Sequence, residues 1–144
     1  MIRKSIAEWK GDGPTGNGSL STESGALRAQ PFSFKTRFQS DGSKAGTNPE
    51  ELLGAAHASC FAMTVAFVLT DAGHAPKELK VTAAVDISKV GEGFAIISVA
   101  LDLEARVDGV SADQFRTLAE AAKANCPVSK ALSGTFISLT SRLA

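Results

Sequence analysis

Cys60 and Cys126 are the only thiols in the 144-residue chain, and their settings differ. Cys60 lies in residues 52–69, a run with no Asp, Glu, Lys or Arg. Cys126 directly precedes Pro127 at the junction of two helical patterns. A lone cysteine inside a buried helix is often inert packing. A thiol at a helix start meets unpaired N–H groups and the positive end of the dipole, which lower its pKa. The two can also be an attacking thiol and its resolving partner. His57, three residues before Cys60, shares its helix face and offers a Cys–His pair for acyl chemistry. No oxyanion donor or orienting third residue accompanies it, and a satisfied core histidine is the simpler reading. The two cysteines with His57 and His74 show neither CxxC nor HxxxH spacing, so neither a metal nor a cofactor is expected. Glu50 and Glu51 read as helix-start carboxylates. Arg37, between Lys35 and Gln39 in alternation, reads as part of a solvated face.

Bulk properties narrow the function classes. Lys plus Arg and Asp plus Glu number 15 each, a formal net charge of zero. This lacks the basic excess of a nucleic-acid-binding protein. The start, Met1-Ile2-Arg3-Lys4-Ser5, has no apolar signal-peptide region, which points to the cytoplasm, where thiols stay reduced unless they do redox chemistry. Residues 52–69 reach the lower length limit of a membrane span. Gly54, His57, Ser59, Thr64 and many alanines within it argue for a core helix instead. The length fits one domain, residues 1–144.

The elements that must position these residues follow from local patterns. Residues 2–10 and 19–23 read as strands, separated by the turn-rich Gly11-Asp12-Gly13-Pro14-Thr15-Gly16-Asn17-Gly18. Residues 33–39 alternate Phe34, Thr36 and Phe38 with Lys35, Arg37 and Gln39, and read as a third strand. Residues 41–47 read as a loop. Asn48-Pro49-Glu50-Glu51 is a helix start: Asn48 caps, Pro49 suits the first position, and Glu51 completes a capping-box-like pattern. That helix should run to about residue 72, stop at Gly73 and span about 36 Å. It is apolar round most of its circumference, so it needs cover on all sides. Small residues at Gly54, Ala55, Ala58, Ser59 and Ala62 permit a second helix to approach. A dimer partner or the chain's own short helices can supply the cover, and spacing does not choose between them.

Further on, Leu79, Val81, Ala83, Val85 and Ile87 alternate with polar positions. Ala95, Ile97, Val99, Leu101, Leu103, Ala105 and Val107 form a second apolar face, and Gly91-Glu92-Gly93 connects the two as a hairpin. Ser111-Ala112-Asp113-Gln114 opens a helix that ends at Asn125. Pro127 begins a short one, and residues 135–143 are a last strand. The order βββαββααβ describes an α+β chain with six strands.

Residues 47–61, Thr47-Asn48-Pro49-Glu50-Glu51-Leu52-Leu53-Gly54-Ala55-Ala56-His57-Ala58-Ser59-Cys60-Phe61, followed by Cys126-Pro127-Val128-Ser129, resemble the OsmC/Ohr family. The match is closest to the osmotically inducible protein C branch. Thr22-Glu23-Ser24-Gly25, Phe34-Lys35-Thr36-Arg37-Phe38 and Gly93-Phe94-Ala95-Ile96 resemble it too, so the likeness spans the chain. It implies an antiparallel six-stranded sheet wrapped round a long central helix in an intertwined homodimer. It also implies a cysteine-based peroxidase that reduces organic hydroperoxides, with hydrogen peroxide as a second candidate substrate, in oxidative or osmotic stress defence. Carried over by position, Cys60 is the peroxidatic cysteine, Cys126 the resolving one, and Arg37 with Glu50 the polar pair. The Ohr branch draws its arginine from an earlier segment. The cycle passes through a Cys60 sulfenic acid and a Cys60–Cys126 disulfide, which an external dithiol, of lipoyl type for example, reduces. The rival on the same fold is a non-enzymatic stress or ligand-binding module with inert cysteines. Glu50 and Cys60 are ten residues, about 15 Å, apart along one helix. The expectation is that Glu50 reaches Cys60 from a partner's antiparallel helix.

Overall fold

The computed structural model describes residues 1–39 and 45–144. The expected loop over residues 41–47 therefore falls partly outside the described residues. The chain forms two compact units, residues 1–52 and 53–144.

The first unit is a three-stranded antiparallel sheet of β1 (Ser5–Lys10), β2 (Asn17–Thr22) and β3 (Gln30–Ser33), in that order. Gly18 lets β2 pass between its neighbours, since a Cβ there would lie 2.4 Å from the Glu8 carbonyl and 2.6 Å from the Phe32 ring. The expected strand over residues 33–39 is corrected. β3 stops at Ser33, and residues 34–38 form the one-turn helix α1 (Phe34–Phe38). Ser33 and Thr36 close a reciprocal capping box, each side chain accepting the other's backbone N–H at 3.2 and 2.9 Å. That local exchange of hydrogen bonds outweighs the period-two alternation of Phe34, Thr36 and Phe38.

The helix predicted to begin beside Asn48 is present as α2 (Pro49–Asp71). The Glu51 N–H donates to Asn48 Oδ1 at 2.8 Å. The Glu51 carboxylate accepts from the Thr47 hydroxyl at 2.7 Å rather than closing a box on Asn48. Gly73, at φ 84°, supplies the left-handed stop. By length and composition α2 could cross a membrane, but core helices pass the same test.

In the second unit, β4 (Glu78–Val90), β5 (Gly93–Arg106) and β6 (Phe136–Leu143) form another three-stranded sheet. Gly91, at φ 62°, takes the left-handed position of the two-residue β4–β5 turn. β5 and β6 are parallel, which corrects the all-antiparallel expectation. The reason is the connection: α3 (Ala112–Asn125) and α4 (Pro127–Ala131) lie between them and make a crossover of the length parallel strands require. Within the chain, the six described strands thus form two sheets of three.

The core of this unit joins Phe61, Val65 and Leu69 of α2 to alternate β5 residues Val99, Leu101, Leu103 and Ala105, and to the α3 stripe Phe115, Ala119 and Ala122. Ile97, expected on the same apolar face, is 44% exposed. The register steps from Asp86–Ser98 to Ile87–Ile96, leaving Ile97 as the extra residue of a bulge, and every side chain beyond it changes face. Full cover of α2 is also corrected for the single chain, because Met63 and Phe67 are 61% and 68% exposed.

Gly54 marks the close approach of α2 to β4: a Cβ there lies 3.1 Å from the Ala83 carbonyl oxygen. A Gly54→Val variant is expected to lose about 1–3 kcal/mol of stability from overpacking against backbone. Urea denaturation with an unchanged m-value is the check.

Candidate functional site

In the first unit, local hydrogen bonds bring α1 and the start of α2 together. Thr36 Oγ1 donates to the Thr47 carbonyl at 2.9 Å, and the Thr47 N–H donates to the Pro31 carbonyl at 2.9 Å. These contacts fix the turn into α2 beside α1. Glu50, 7% exposed, then faces Arg37. Arg37 Nη2 and Nε donate to Glu50 Oε1 at 2.7 and 3.2 Å, and Nε also reaches Oε2 at 3.3 Å. The arginine expected on a solvated face is therefore held by a planar, charge-assisted pairing. Its guanidinium also lies 4.9 Å from the Phe38 ring centroid. Beside it is an open pocket of about 150 Å³, lined mainly by Trp9, Phe32, Phe34, Phe38 and Pro49 as well as Arg37. Sequence reasoning missed this aromatic lining because Trp9 and Phe32 lie on separate strands, whose rings meet at 5.4 Å only through the sheet register.

The second unit brings the two cysteines together. Cys60 is partly exposed and Cys126 is completely buried, and both are free thiols within hydrogen-bonding reach of each other. Burial pushes the Cys60 thiol up, and the hydrogen bond and charge of Cys126 add to that, against the Val128 N–H and the Thr64 hydroxyl. Burial also pushes Cys126 up, but the Ser129 N–H and hydroxyl, Cys60 and the Val128 N–H outweigh it and hold Cys126 below the ordinary thiol value. The Cys126 side chain makes no cap bond onto α4. Of the two thiols, Cys126 is therefore the one whose charged form its surroundings favour.

His57 does not pair with Cys60, which removes the Cys–His hydrolase reading. The ring is fully buried, and its Nε2 lies 2.8 Å from Ser129 Oγ. Its Nδ1 has no hydrogen-bond partner among the described residues. Ser129 went unselected from the sequence. The available signal was symmetry of spacing, with each cysteine having a polar residue three positions away, His57 before Cys60 and Ser129 after Cys126. Among the described residues no group of three or more His, Cys, Asp or Glu side chains is arranged to hold a metal.

Comparison with known proteins places this geometry in a class and then in a family. The folded chain aligns with an OsmC-like protein of Vibrio cholerae at a TM-score of 0.77, covering 99% of each chain at 16% identity, a likeness of fold alone. An organic hydroperoxide resistance protein of Elizabethkingia anophelis aligns at a TM-score of 0.70 and 26% identity, over 100% of this chain and 97% of that one. The family model for OsmC-like proteins matches residues 40–140. Peroxiredoxin OsmC of Escherichia coli K12 is 48% identical over 130 residues, 90% of this chain and 89% of that protein. The organic hydroperoxide resistance protein of Xanthomonas axonopodis pv. citri is 34% identical over 92 residues, 63% of each chain. The chain belongs to the OsmC family. Cys60, Cys126 and Glu50 lie inside the family match, and Arg37 lies just before it.

Burial holds His57 neutral by lowering its pKa from the ordinary 6.5. The unfolded chain takes up a proton as pH falls through about 6.5, whereas the folded chain does not until lower pH. The contribution of His57 is therefore complete above pH 6.5 and is lost below it, down to the folded pKa. Melting temperatures at pH 7.5 and 5.5 should fall more steeply for the wild type than for His57→Phe. Equal slopes would contradict the assignment.

Proposed function

We infer that this protein is a thiol-dependent peroxidase that reduces organic hydroperoxides. The observation that carries the reading is the pair of neighbouring free thiols, one member partly exposed and the other sealed in the core. Only Cys60 is open to a peroxide, so Cys60 is assigned as the peroxidatic cysteine and Cys126 as the resolving one. The Cys60 sulfur, giving up its proton, attacks the terminal peroxide oxygen. The O–O bond breaks, Cys60 becomes a sulfenic acid, and the leaving alkoxide takes a proton to become an alcohol. Cys126 attacks the sulfenic sulfur, water leaves, and a disulfide forms. A dithiol of lipoyl type then returns both sulfurs to thiols, closing a cycle that needs no cofactor.

The second unit alone favours charge on Cys126, so bringing it to Cys60 calls for a cation. Arg37, oriented by Glu50, is assigned that role and the stabilisation of charge on the leaving oxygen. The aromatic pocket beside Arg37 suits the organic part of a hydroperoxide. Glu50 and Cys60 are about 15 Å apart along α2. The reading therefore has the chain work as one OsmC-like domain in a homodimer, with the partner's Arg37 and the partner's Glu50 completing the site. The exposed Met63 and Phe67 on α2 are the surface such a partner would cover. The protein is assigned to cytoplasmic defence against oxidative or osmotic stress. A binding module with inert cysteines accounts for neither the neighbouring thiols nor the bidentate Arg37–Glu50 pair.

Consumption of tert-butyl hydroperoxide with dihydrolipoamide tests the reading. Cys60→Ser should fall to background, and Cys126→Ser should complete one oxidation and then stall. Arg37→Ala should lose about 10²–10³-fold in kcat/KM, the scale of removing a group that stabilises developing charge. Wild-type turnover in Cys60→Ser would end the proposal.

A further inference from the structure

Two buried polar residues have no part in the peroxidase chemistry above. His57 is 0% exposed and Ser129 is 8% exposed, and they meet at 2.8 Å although 72 residues separate them. The histidine is a poor choice for packing alone. Nδ1 is left buried without a partner among the described residues, a desolvation cost that an apolar ring filling the same space would not carry.

The unpartnered atom settles how the hydrogen bonds run. A buried N–H without an acceptor is the rarer defect, so Nδ1 carries the lone pair and Nε2 the proton. Nε2–H then donates to Ser129 Oγ. The single hydroxyl proton of Ser129 is left for a different acceptor, and the Cys126 sulfur, three residues earlier and sealed in the same core, is the neighbour whose charged form it favours. The relay therefore runs in one direction, from His57 to Ser129 to Cys126.

We propose that His57 and Ser129 are positioning residues that make Cys126 the leaving sulfur when the Cys60–Cys126 disulfide is reduced, so that the incoming thiolate attacks Cys60. The proposal rests on the peroxidase reading for the disulfide's place in the cycle. In the step, a reductant thiolate attacks Cys60 Sγ. The Cys60–Cys126 bond breaks, a mixed disulfide forms on Cys60, and the electron pair leaves on Cys126 as a thiolate, to which the Ser129 hydroxyl donates a hydrogen bond. The reductant's second thiol loses its proton and attacks its own sulfur in the mixed disulfide. Cys60 leaves with the electron pair and takes that proton, and the reductant departs as a cyclic disulfide, oxidised by two electrons. Exchange is faster when the leaving thiol has the more stable anion and the attacked sulfur is accessible. Accessibility selects the direction, because Cys126 is sealed and Cys60 is not, and Ser129 beside Cys126 favours the anion it becomes.

The test forms the disulfide with diamide in the full chain, so that it does not depend on peroxide turnover. 2-Mercaptoethanol is added, the reaction is quenched in acid, and mass spectrometry locates the adduct. The wild type should carry it on Cys60 in about tenfold or greater excess. Ser129→Ala, which removes one atom, should slow reduction about three- to tenfold and erode that selectivity. In a Cys60→Ser background, the thiolate absorbance of Cys126 at 240 nm should titrate about one unit higher with Ser129→Ala, a readout that a purely structural role would not move. His57→Phe, controlled by its melting temperature, should act in the same direction. The proposal is overturned if diamide gives no disulfide, if the wild-type adduct is on Cys126 or evenly divided, or if Ser129→Ala matches the wild type in rate and adduct. Failure of the peroxidase reading is seen separately, as no hydroperoxide consumption by a wild type whose diamide disulfide still behaves as described.

Discussion

The meeting of the Cys60 and Cys126 thiols is the interaction on which the site depends. It exists because two distant segments are packed into one core: α2 places Cys60 at a partly open position, and the junction of α3 and α4 places Cys126 at a closed one. Pro127 matters to this geometry. It begins α4 without needing a backbone N–H and leaves Cys126 non-helical at φ −59°, ψ 122°, between two helices. The N–H groups of Val128 and Ser129 then act on its sulfur. Burial alone would raise both thiols and leave them inert. The local donors break that symmetry and hold Cys126 down while Cys60 stays raised.

A similar logic governs the first unit with different chemistry. A nearly buried carboxylate, Glu50, is tolerated because Arg37 meets it in a bidentate fork. Leaving either charge without the other in a partly buried place is costly. The capping box of Ser33 and Thr36 and the Thr36–Thr47 bond determine where the fork closes. The polar pair is thus a product of turn chemistry, whereas the thiol pair is a product of core packing.

Much of this was legible in the sequence where one local signal dominates. Asn48 and Pro49 mark the start of α2, Gly73 its end, Ser111 the start of α3, and Gly91 the hairpin. The unread features arise where signals compete or where partners are remote. Phe34, Thr36 and Phe38 alternate as a strand would, but the reciprocal Ser33–Thr36 bonds are stronger than a weak period over six residues. Ile97 fits the β5 alternation, and only the bulge opposite Asp86 and Ile87 displaces it. The parallel pairing of β6 was implicit in the two helices that precede it, although strand patterns carry no sign of direction. The roles of Arg37 and Glu50 came from the family likeness alone, because their meeting depends on a tertiary turn. Ser129 had no visible chemistry until the fold set it against His57.

The central claim is that Cys60 and Cys126 act as one redox pair. The most direct measurement treats the reduced protein with one equivalent of tert-butyl hydroperoxide, blocks free thiols in acid, and maps the peptides by mass spectrometry. The account predicts one product, an intramolecular disulfide joining the Cys60 and Cys126 peptides, with one equivalent of alcohol released. Recovery of both cysteines as blocked free thiols, with the peroxide unconsumed, would contradict it.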